Sequence, residues 1–178
     1  MSLAKNFKLY KDEIELVCEQ NRVECDLYSI IAHIIRESKQ REKVSLRDVS
    51  VRRGTEFSKT FRGNSGFPDF VVRTREKSNS AKVLGAIEVK YVTENLDSED
   101  HLEQLGGHIA FYKKVLYTNG LEWRYYNSKK PENNWKIILG KIIGNTIVWE
   151  EESQWKHLLN NLNGIESVSY THLTLPTN

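Results

Sequence analysis

The chain carries two acidic residues and one lysine at positions where a buried site could act on a phosphate. Asp69 opens one apolar run (GFPDFVV), and Glu88 and Lys90 lie in the next run (GAIEVKY), with Val89 between them. Because successive side chains of a strand point to opposite faces, we expect Glu88 and Lys90 on the same side of a sheet. Burying these charges is costly unless a partner compensates them. A divalent cation such as Mg²⁺ prefers carboxylate and carbonyl oxygens, and a neighbouring lysine can act on water or phosphate.

The segments Pro68-Asp69 and Glu88-Val89-Lys90 resemble the signature of the PD-(D/E)XK nuclease superfamily. Between them lies RTREKSNSAK, a polar stretch that joins two apolar runs as a hairpin would. The alternative is a surface hairpin in which Glu88 and Lys90 form a salt bridge, although such a bridge contributes little stability.

The resemblance implies metal-dependent hydrolysis of DNA phosphodiester bonds. One Mg²⁺, for which Mn²⁺ can substitute, would be held by Asp69, Glu88 and the Val89 carbonyl, and Glu24 would assist a second. Lys90 would position the attacking water and offset negative charge on the phosphate. The products would carry 5′-phosphate and 3′-hydroxyl ends.

Glu24 is a candidate third acid. It precedes Leu27 by three residues and Ile31 by seven, which places it on or beside the apolar face of a predicted helix. In the nuclease family an acid of the first core helix often reaches the metal, and Glu24 resembles that acid, with Glu19 and Glu37 as weaker candidates. The alternative is an acid that stabilises the helix N-terminus through the helix dipole.

A second resemblance covers the run EQLGGHIAFYKKVLYTNGLEWRYYN. It is similar to the segment after the catalytic strand in N-terminal nuclease domains of type I restriction enzyme motor subunits and in related standalone nucleases. There a glutamine is followed four residues later by tyrosine; Gln104 matches the glutamine, but His108 stands at the tyrosine position. The resemblance implies that Gln104 contacts DNA or positions the lysine; the alternative is a plain polar helix residue. The pair Gly106-Gly107 either weakens this helix or marks a close backbone approach.

Hydrophobic periodicity predicts an α/β fold with a mixed central sheet flanked by helices. Helices are predicted over residues 3–19, 24–38, 101–114 and 151–162, and strands over 47–52, 69–73, 83–92, 135–139 and 142–149, the last two as a hairpin or an extension of the sheet. Asn119-Gly120 predicts a further hairpin. The order helix, three strands, helix, strand (αβββαβ) is that of the restriction-endonuclease-like core. Trp123 and Tyr125 are expected in the core rather than stacked on bases.

The distribution of charge is more informative than its total of +2. Residues 38–66, just before the proposed site, contain eight Lys or Arg and three acidic residues. Such a basic cluster would attract phosphates regardless of sequence. The alternative is an ordinary solvated surface.

Two cysteines, Cys18 and Cys25, match no zinc or redox motif, so we expect free thiols in a reducing compartment. We recognise no signal peptide and no apolar segment of membrane-spanning length, which predicts a cytoplasmic protein with no membrane partner.

The last residues form a separate segment. Residues 168–177, VSYTHLTLPT, resemble the translation of a transposon end continued into a sequencing adapter. We therefore expect residues 1–166 to form the nuclease-like domain and residues 167–178 to be a foreign tail, which leaves open whether the natural protein continues beyond Glu166.

Three functions agree with these features, and DNA is the expected partner. The first is an endonuclease of restriction or phage defence, with methyltransferase or specificity subunits as further partners. The second is a DNA-binding or subunit-assembly module with an inactive nuclease fold. The third is a junction resolvase, which would require a homodimer.

Overall fold

A six-stranded mixed sheet forms the centre of the computed structural model, which describes residues 6–51 and 59–166. Its strands follow one another across the sheet in chain order: β1 (Val44–Asp48), β2 (Phe70–Thr74), β3 (Val83–Val89), β4 (Lys114–Thr118), β5 (Glu122–Asn127) and β6 (Trp135–Ile138). Strands β3 and β4 are parallel, and every other neighbouring pair is antiparallel. A parallel pair needs a crossover connection, and a helix provides it here.

Helices cover both faces of the sheet. They are α1 (Phe7–Gln20), α2 (Cys25–Glu37), α3 (Glu99–Tyr112) and α4 (Glu152–Gly164). Helices α1, α2 and α4 pack their apolar faces on one side, where Ile87 and Val89 of β3 are buried. Helix α3, the crossover between β3 and β4, covers the other side, where Ala86 is buried. The predicted α/β class and the αβββαβ order are confirmed.

Aromatic residues bind α1 to the turn between β4 and β5. The Tyr10 hydroxyl donates to the Gly120 carbonyl, and Trp123 Nε1 donates to the Tyr10 oxygen at 3.3 Å. Gly120 has φ +86°, a conformation that favours glycine, as the predicted Asn119-Gly120 turn requires. Trp123 and Tyr125 are buried, so their predicted place in the core is confirmed.

Two predictions about strands need correction. Strand β1 covers Val44–Asp48 rather than residues 47–52, because Val44 and Leu46 form its buried alternation, out of phase with the later pair Val49 and Val51. Of the two alternatives for residues 135–149, the extension of the sheet is confirmed for β6. The second predicted strand, 142–149, is instead two strands, since β7 (Gly140–Ile143) pairs with β8 (Thr146–Trp149) in a separate two-stranded sheet.

The segment that leads into β2 lies against α3. The Tyr112 hydroxyl donates to the Phe61 carbonyl, and a Cβ at Gly63 would approach the Phe111 ring to 3.0 Å. A Cβ at Gly107 would lie 1.6 Å from Ser65 Oγ and 2.7 Å from its Cβ. The glycine pair therefore allows a close approach within an unbroken helix, as one of the two sequence interpretations predicts.

A matched pair of substitutions tests this approach. Gly106→Ala should raise the free energy of unfolding by about 0.5–1 kcal/mol, because nothing lies near its added Cβ and alanine favours helix. Gly107→Ala should lower it by about 1–3 kcal/mol, because Ser65 must be displaced. Urea denaturation of both variants measures the difference. Equal stability of the two would show that the segment does not lie on α3.

Some predictions fall outside the described residues: the tail, and part of the basic cluster with Arg52 and Arg53. Cys18 and Cys25 are both free thiols. Within residues 6–51 and 59–166, no helix combines the length and apolar character needed to cross a membrane.

Candidate active site

The adjacent ends of β2 and β3 bring the acids and the lysine together. Asp69 immediately precedes β2, Glu88 lies in β3, and Phe70 faces Ile87 across the antiparallel pair. The predicted strand 83–92 is too long, since β3 ends at Val89, one residue before Lys90. The backbone remains paired there, because the Lys90 N–H donates to the Thr118 carbonyl at 2.8 Å.

Glu88 and Lys90 form a buried ion pair. Lys90 Nζ donates to Glu88 Oε1 at 2.7 Å, and the residues are 8% and 3% exposed. Asp69 is 9% exposed. The alternative of a surface salt bridge is therefore wrong. The carboxyl groups of Asp69 and Glu88 are thus buried beside the single ammonium of Lys90. This arrangement lowers stability unless further positive charge or hydrogen bonds offset it.

Gln104 of α3 contacts the lysine directly. Lys90 Nζ donates to Gln104 Oε1 at 2.7 Å, so of the roles implied for this glutamine the structure shows the contact needed to position Lys90. The loop between β3 and α3 is itself held in place. The Tyr117 hydroxyl donates to the Leu96 carbonyl, and the Asn119 side-chain amide donates to the Val92 carbonyl. The Arg124 guanidinium donates to both carboxylate oxygens of Asp97.

Tyr28 joins Glu24 to Asp69, a link that the sequence did not reveal. The Tyr28 hydroxyl oxygen lies 2.5 Å from Asp69 Oδ1 and 2.9 Å from Glu24 Oε1. A single hydroxyl proton cannot serve two carboxylates, so this arrangement is satisfied when one carboxyl group is protonated. Glu24 makes no side-chain capping hydrogen bond to α2. The available signal was the four-residue spacing of Glu24 and Tyr28, which places both on one helix face.

The weaker acidic candidates lie elsewhere. Glu37 is at the far end of α2, where its carboxylate is 3.1 Å from His33 Nε2. Glu19 on α1 lines an open surface groove with Arg22 and Tyr91.

Burial raises the pKa of Asp69 to about 7, and repulsion from Glu88 adds to the effect. The hydrogen bonds from Tyr28 and from the Val89 N–H, the latter 2.7 Å long, act in the opposite direction. Asp69 therefore holds its proton to a much higher pH than an exposed aspartate. A cation placed between the two acids would favour the ionised form.

This raised pKa makes stability depend on pH in EDTA. The unfolded chain loses the Asp69 proton near pH 3.8, whereas the folded chain keeps it to about pH 7. Raising the pH through this window therefore favours unfolding, and stability should fall relative to Asp69→Asn, whose amide does not titrate. Mg²⁺ should stabilise the wild type more toward the upper end of the window, because binding needs the ionised acid. Denaturation at a series of pH values, with and without Mg²⁺, measures both effects. Parallel curves for the two proteins would contradict the pKa assignment.

His108 lies against Glu88. It is fully buried, and its Nε2 is 3.2 Å from Glu88 Oε2 without the alignment of a hydrogen bond. Glu88 Oε2 and both His108 ring nitrogens have no hydrogen-bond partner among the described residues. The sequence signal was its position four residues after Gln104, on the same face of α3.

The donors present fit one particular kind of metal site. In residues 6–51 and 59–166, no group of three or more His, Cys, Asp or Glu could hold a metal ion. Asp69 and Glu88 alone fit a cation that takes one or two carboxylates and completes its shell with water and substrate phosphate, as Mg²⁺ does. The unpartnered Glu88 Oε2 supplies a free acceptor for it.

Comparisons with known proteins establish the fold and no more. No protein-family model matches the sequence, and no curated protein matches it. Among solved structures, a cryo-EM structure of a DrdV–DNA complex is similar, with a TM-score of 0.58 and 13% identity. The match covers 92% of this chain and 14% of that chain, so this chain spans a small part of its neighbour's length. The protein therefore has an α/β fold of the restriction-endonuclease-like class.

Proposed function

We propose that this protein is a metal-dependent endonuclease that hydrolyses DNA phosphodiester bonds. One observation supports it most: Asp69, Glu88 and Lys90 lie buried at the adjacent ends of two strands, with Gln104 bound to the lysine. An intact set of two acids and a lysine argues against an idle binding module, because such a set is costly to bury without a use.

Each residue has a defined role in this proposal. Asp69, Glu88 and the Val89 carbonyl would hold one Mg²⁺, or Mn²⁺ in its place, and Glu24, which Tyr28 links to Asp69, would assist a second. When bound, the cation supplies Lewis-acid polarisation of a phosphate oxygen and neutralises negative charge. Lys90 positions the attacking water and offsets charge that develops on the phosphate. Cleavage leaves a 5′-phosphate and a 3′-hydroxyl.

Exposed basic residues beside the site would bind the DNA backbone. Lys59 and Arg62 lie on the segment that packs on α3 and leads into Asp69. Arg47 of β1 is exposed as well and faces Val71 of β2, whereas Arg41 and Lys43 are exposed at the opposite end of this strand pair, where Val44 faces Thr74. Phosphate contacts of this kind position a protein on DNA without reading its sequence.

We further propose a role in restriction or phage defence, in the cytoplasm, with methyltransferase or specificity subunits as partners. This part rests on the resemblance to type I restriction nuclease domains. A junction resolvase would use the same chemistry as a homodimer, and substrate choice separates the two.

Three DNA substrates test the proposed function: supercoiled plasmid, single-stranded circles and four-way junctions, each incubated with Mg²⁺ and analysed for end groups. Cleavage of plasmid to 5′-phosphate ends is expected. Cleavage confined to the junction, by a dimer, would favour the resolvase. Binding of all three without cleavage would favour the inactive module.

Gln104→Ala should slow cleavage by about ten-fold or more, equivalent to a barrier increase of about 1.4 kcal/mol. The reason is that Lys90 loses its 2.7 Å hydrogen bond to Gln104 and no longer has one fixed position. The melting temperature should change little, since Gln104 is only partly buried. Glu103→Ala, at the exposed preceding position of α3, is the control. A wild-type rate in Gln104→Ala would make it a plain polar helix residue.

A further inference from the structure

We propose that His108 is a positioning residue that fixes the orientation of the Glu88 carboxylate for cation binding. This inference rests on the proposed function, and it concerns a residue at which this chain departs from the tyrosine of the family it resembles. The ring acts through Glu88, so it is not itself a ligand or a catalytic group.

The burial of His108 beside Glu88 lowers the stability of the fold. His108 is completely enclosed, yet neither ring nitrogen has a hydrogen-bond partner in the described part of the chain, and the same is true of the nearby Glu88 Oε2. A buried polar group without a partner lowers stability, and an apolar side chain of similar shape would avoid that loss. Such groups are rare in folded proteins, and those that occur often have a functional cause.

Helix α3 places two polar side chains against the end of β3. Gln104 and His108 are one turn apart on the same helix face, and each lies against one charged residue at the end of β3. Gln104 Oε1 accepts from Lys90 Nζ at 2.7 Å, and His108 Nε2 lies 3.2 Å from Glu88 Oε2. Since Lys90 binds Glu88 Oε1, the two oxygens of one carboxylate face two different side chains, and His108 Nε2 can donate to Oε2 in the tautomer that carries the proton on that nitrogen.

These contacts assign His108 a specific action. Lys90 alone leaves the carboxylate free to turn about its bond to Cγ, whereas a second donor at Oε2 fixes its plane. In the proposed arrangement the carboxylate turns toward the ring, so that the Nε2–H donates to Oε2 and one lone pair of each oxygen is left for a cation. Carboxylates that bind metals are commonly held by such outer hydrogen bonds, and loss of one costs about 10–100-fold in affinity.

Three substitutions separate this role from simple packing. The amide nitrogen of Gln can reach the place of His Nε2, whereas that of Asn reaches only the place of Nδ1, and Phe fills the space without a donor. The readout is the Mg²⁺ concentration at half of the maximal rise in melting temperature, without DNA. His108→Gln should keep the wild-type midpoint. His108→Asn and His108→Phe should raise it about 10–100-fold.

Stability in EDTA supplies the second readout. His108→Phe should be at least as stable as His108→Asn there, so its weaker Mg²⁺ response would not reflect poor folding. Unchanged midpoints in all three variants, together with wild-type cleavage, would overturn this inference and leave the proposed function intact. A wild-type protein with no response to Mg²⁺ or Mn²⁺ and no cleavage would overturn both.

Discussion

Lys90→Met should reduce the rate of DNA cleavage by about 10²–10⁴-fold while Mg²⁺ binding is retained. Methionine keeps the unbranched stem of the side chain but lacks the ammonium that lies 2.7 Å from Glu88 Oε1. The water and the phosphate therefore lose the group that positions one and offsets charge on the other. The two acids remain, so the melting temperature should still rise with Mg²⁺.

The stability of this variant provides an internal check. Removing one partner of the buried pair leaves Glu88 uncompensated, which should cost about 3–5 kcal/mol in EDTA. Mg²⁺ should recover more stability in the variant than in the wild type, because the cation replaces the missing positive charge. Lys82→Met, exposed just before β3, should match the wild type in both assays. Unimpaired cleavage by Lys90→Met would remove Lys90 from the mechanism.

Glu88→Gln should abolish the Mg²⁺-dependent rise in melting temperature and lower cleavage by at least about 10²–10³-fold. The amide keeps the shape of the side chain and can still accept from Lys90, so the fold around β3 is preserved. It lacks the negative charge that a hard cation requires. It also removes the repulsion that Glu88 exerts on Asp69, so the pKa of Asp69 should fall toward its usual range.

The matched control for this substitution is Glu103→Gln, an equal change of charge at an exposed position of α3. It should leave both the metal response and the cleavage rate unchanged. A full Mg²⁺ response in Glu88→Gln would show that the cation binds elsewhere, and the site would then need a different set of ligands.

Local periodicity was enough to predict much of this arrangement. The two-residue repeat of a strand placed Glu88 and Lys90 on one face, and the structure has them in contact. The order of helices and strands followed from apolar patterns of helical and strand period in the same way. These features depend on neighbours in sequence, which a single chain displays directly.

Contacts between separate elements could not be predicted in this way. The Tyr28 hydroxyl of α2 contacts Asp69 at the start of β2, and His108 of α3 contacts Glu88 of β3 where the helix packs on the sheet. In the sequence, both side chains look like ordinary residues of amphipathic helices. The acidic residue that each one contacts lies in a distant part of the chain. Ser65 against Gly107 is a third case, where the glycine signalled a close approach but not which residue makes it.

The boundary of β1 was wrong for a different reason. Val44 and Leu46 alternate in one phase, and Val49 and Val51 alternate in the other, so two overlapping strand patterns compete. Pairing with β2 decides between them, since Val44 faces Thr74 and Asp48 faces Phe70. This pairing depends on the register of a strand more than twenty residues away in the sequence.

Plasmid nicking with and without EDTA tests the central claim most directly. The wild-type protein should convert supercoiled DNA to relaxed or linear forms in Mg²⁺ or Mn²⁺. It should leave the DNA intact in EDTA, and Asp69→Asn should leave it intact under all conditions. Wild-type protein that binds duplex DNA but never cuts plasmid, single-stranded or branched substrates in either cation would contradict the claim that Asp69, Glu88 and Lys90 form a nuclease site.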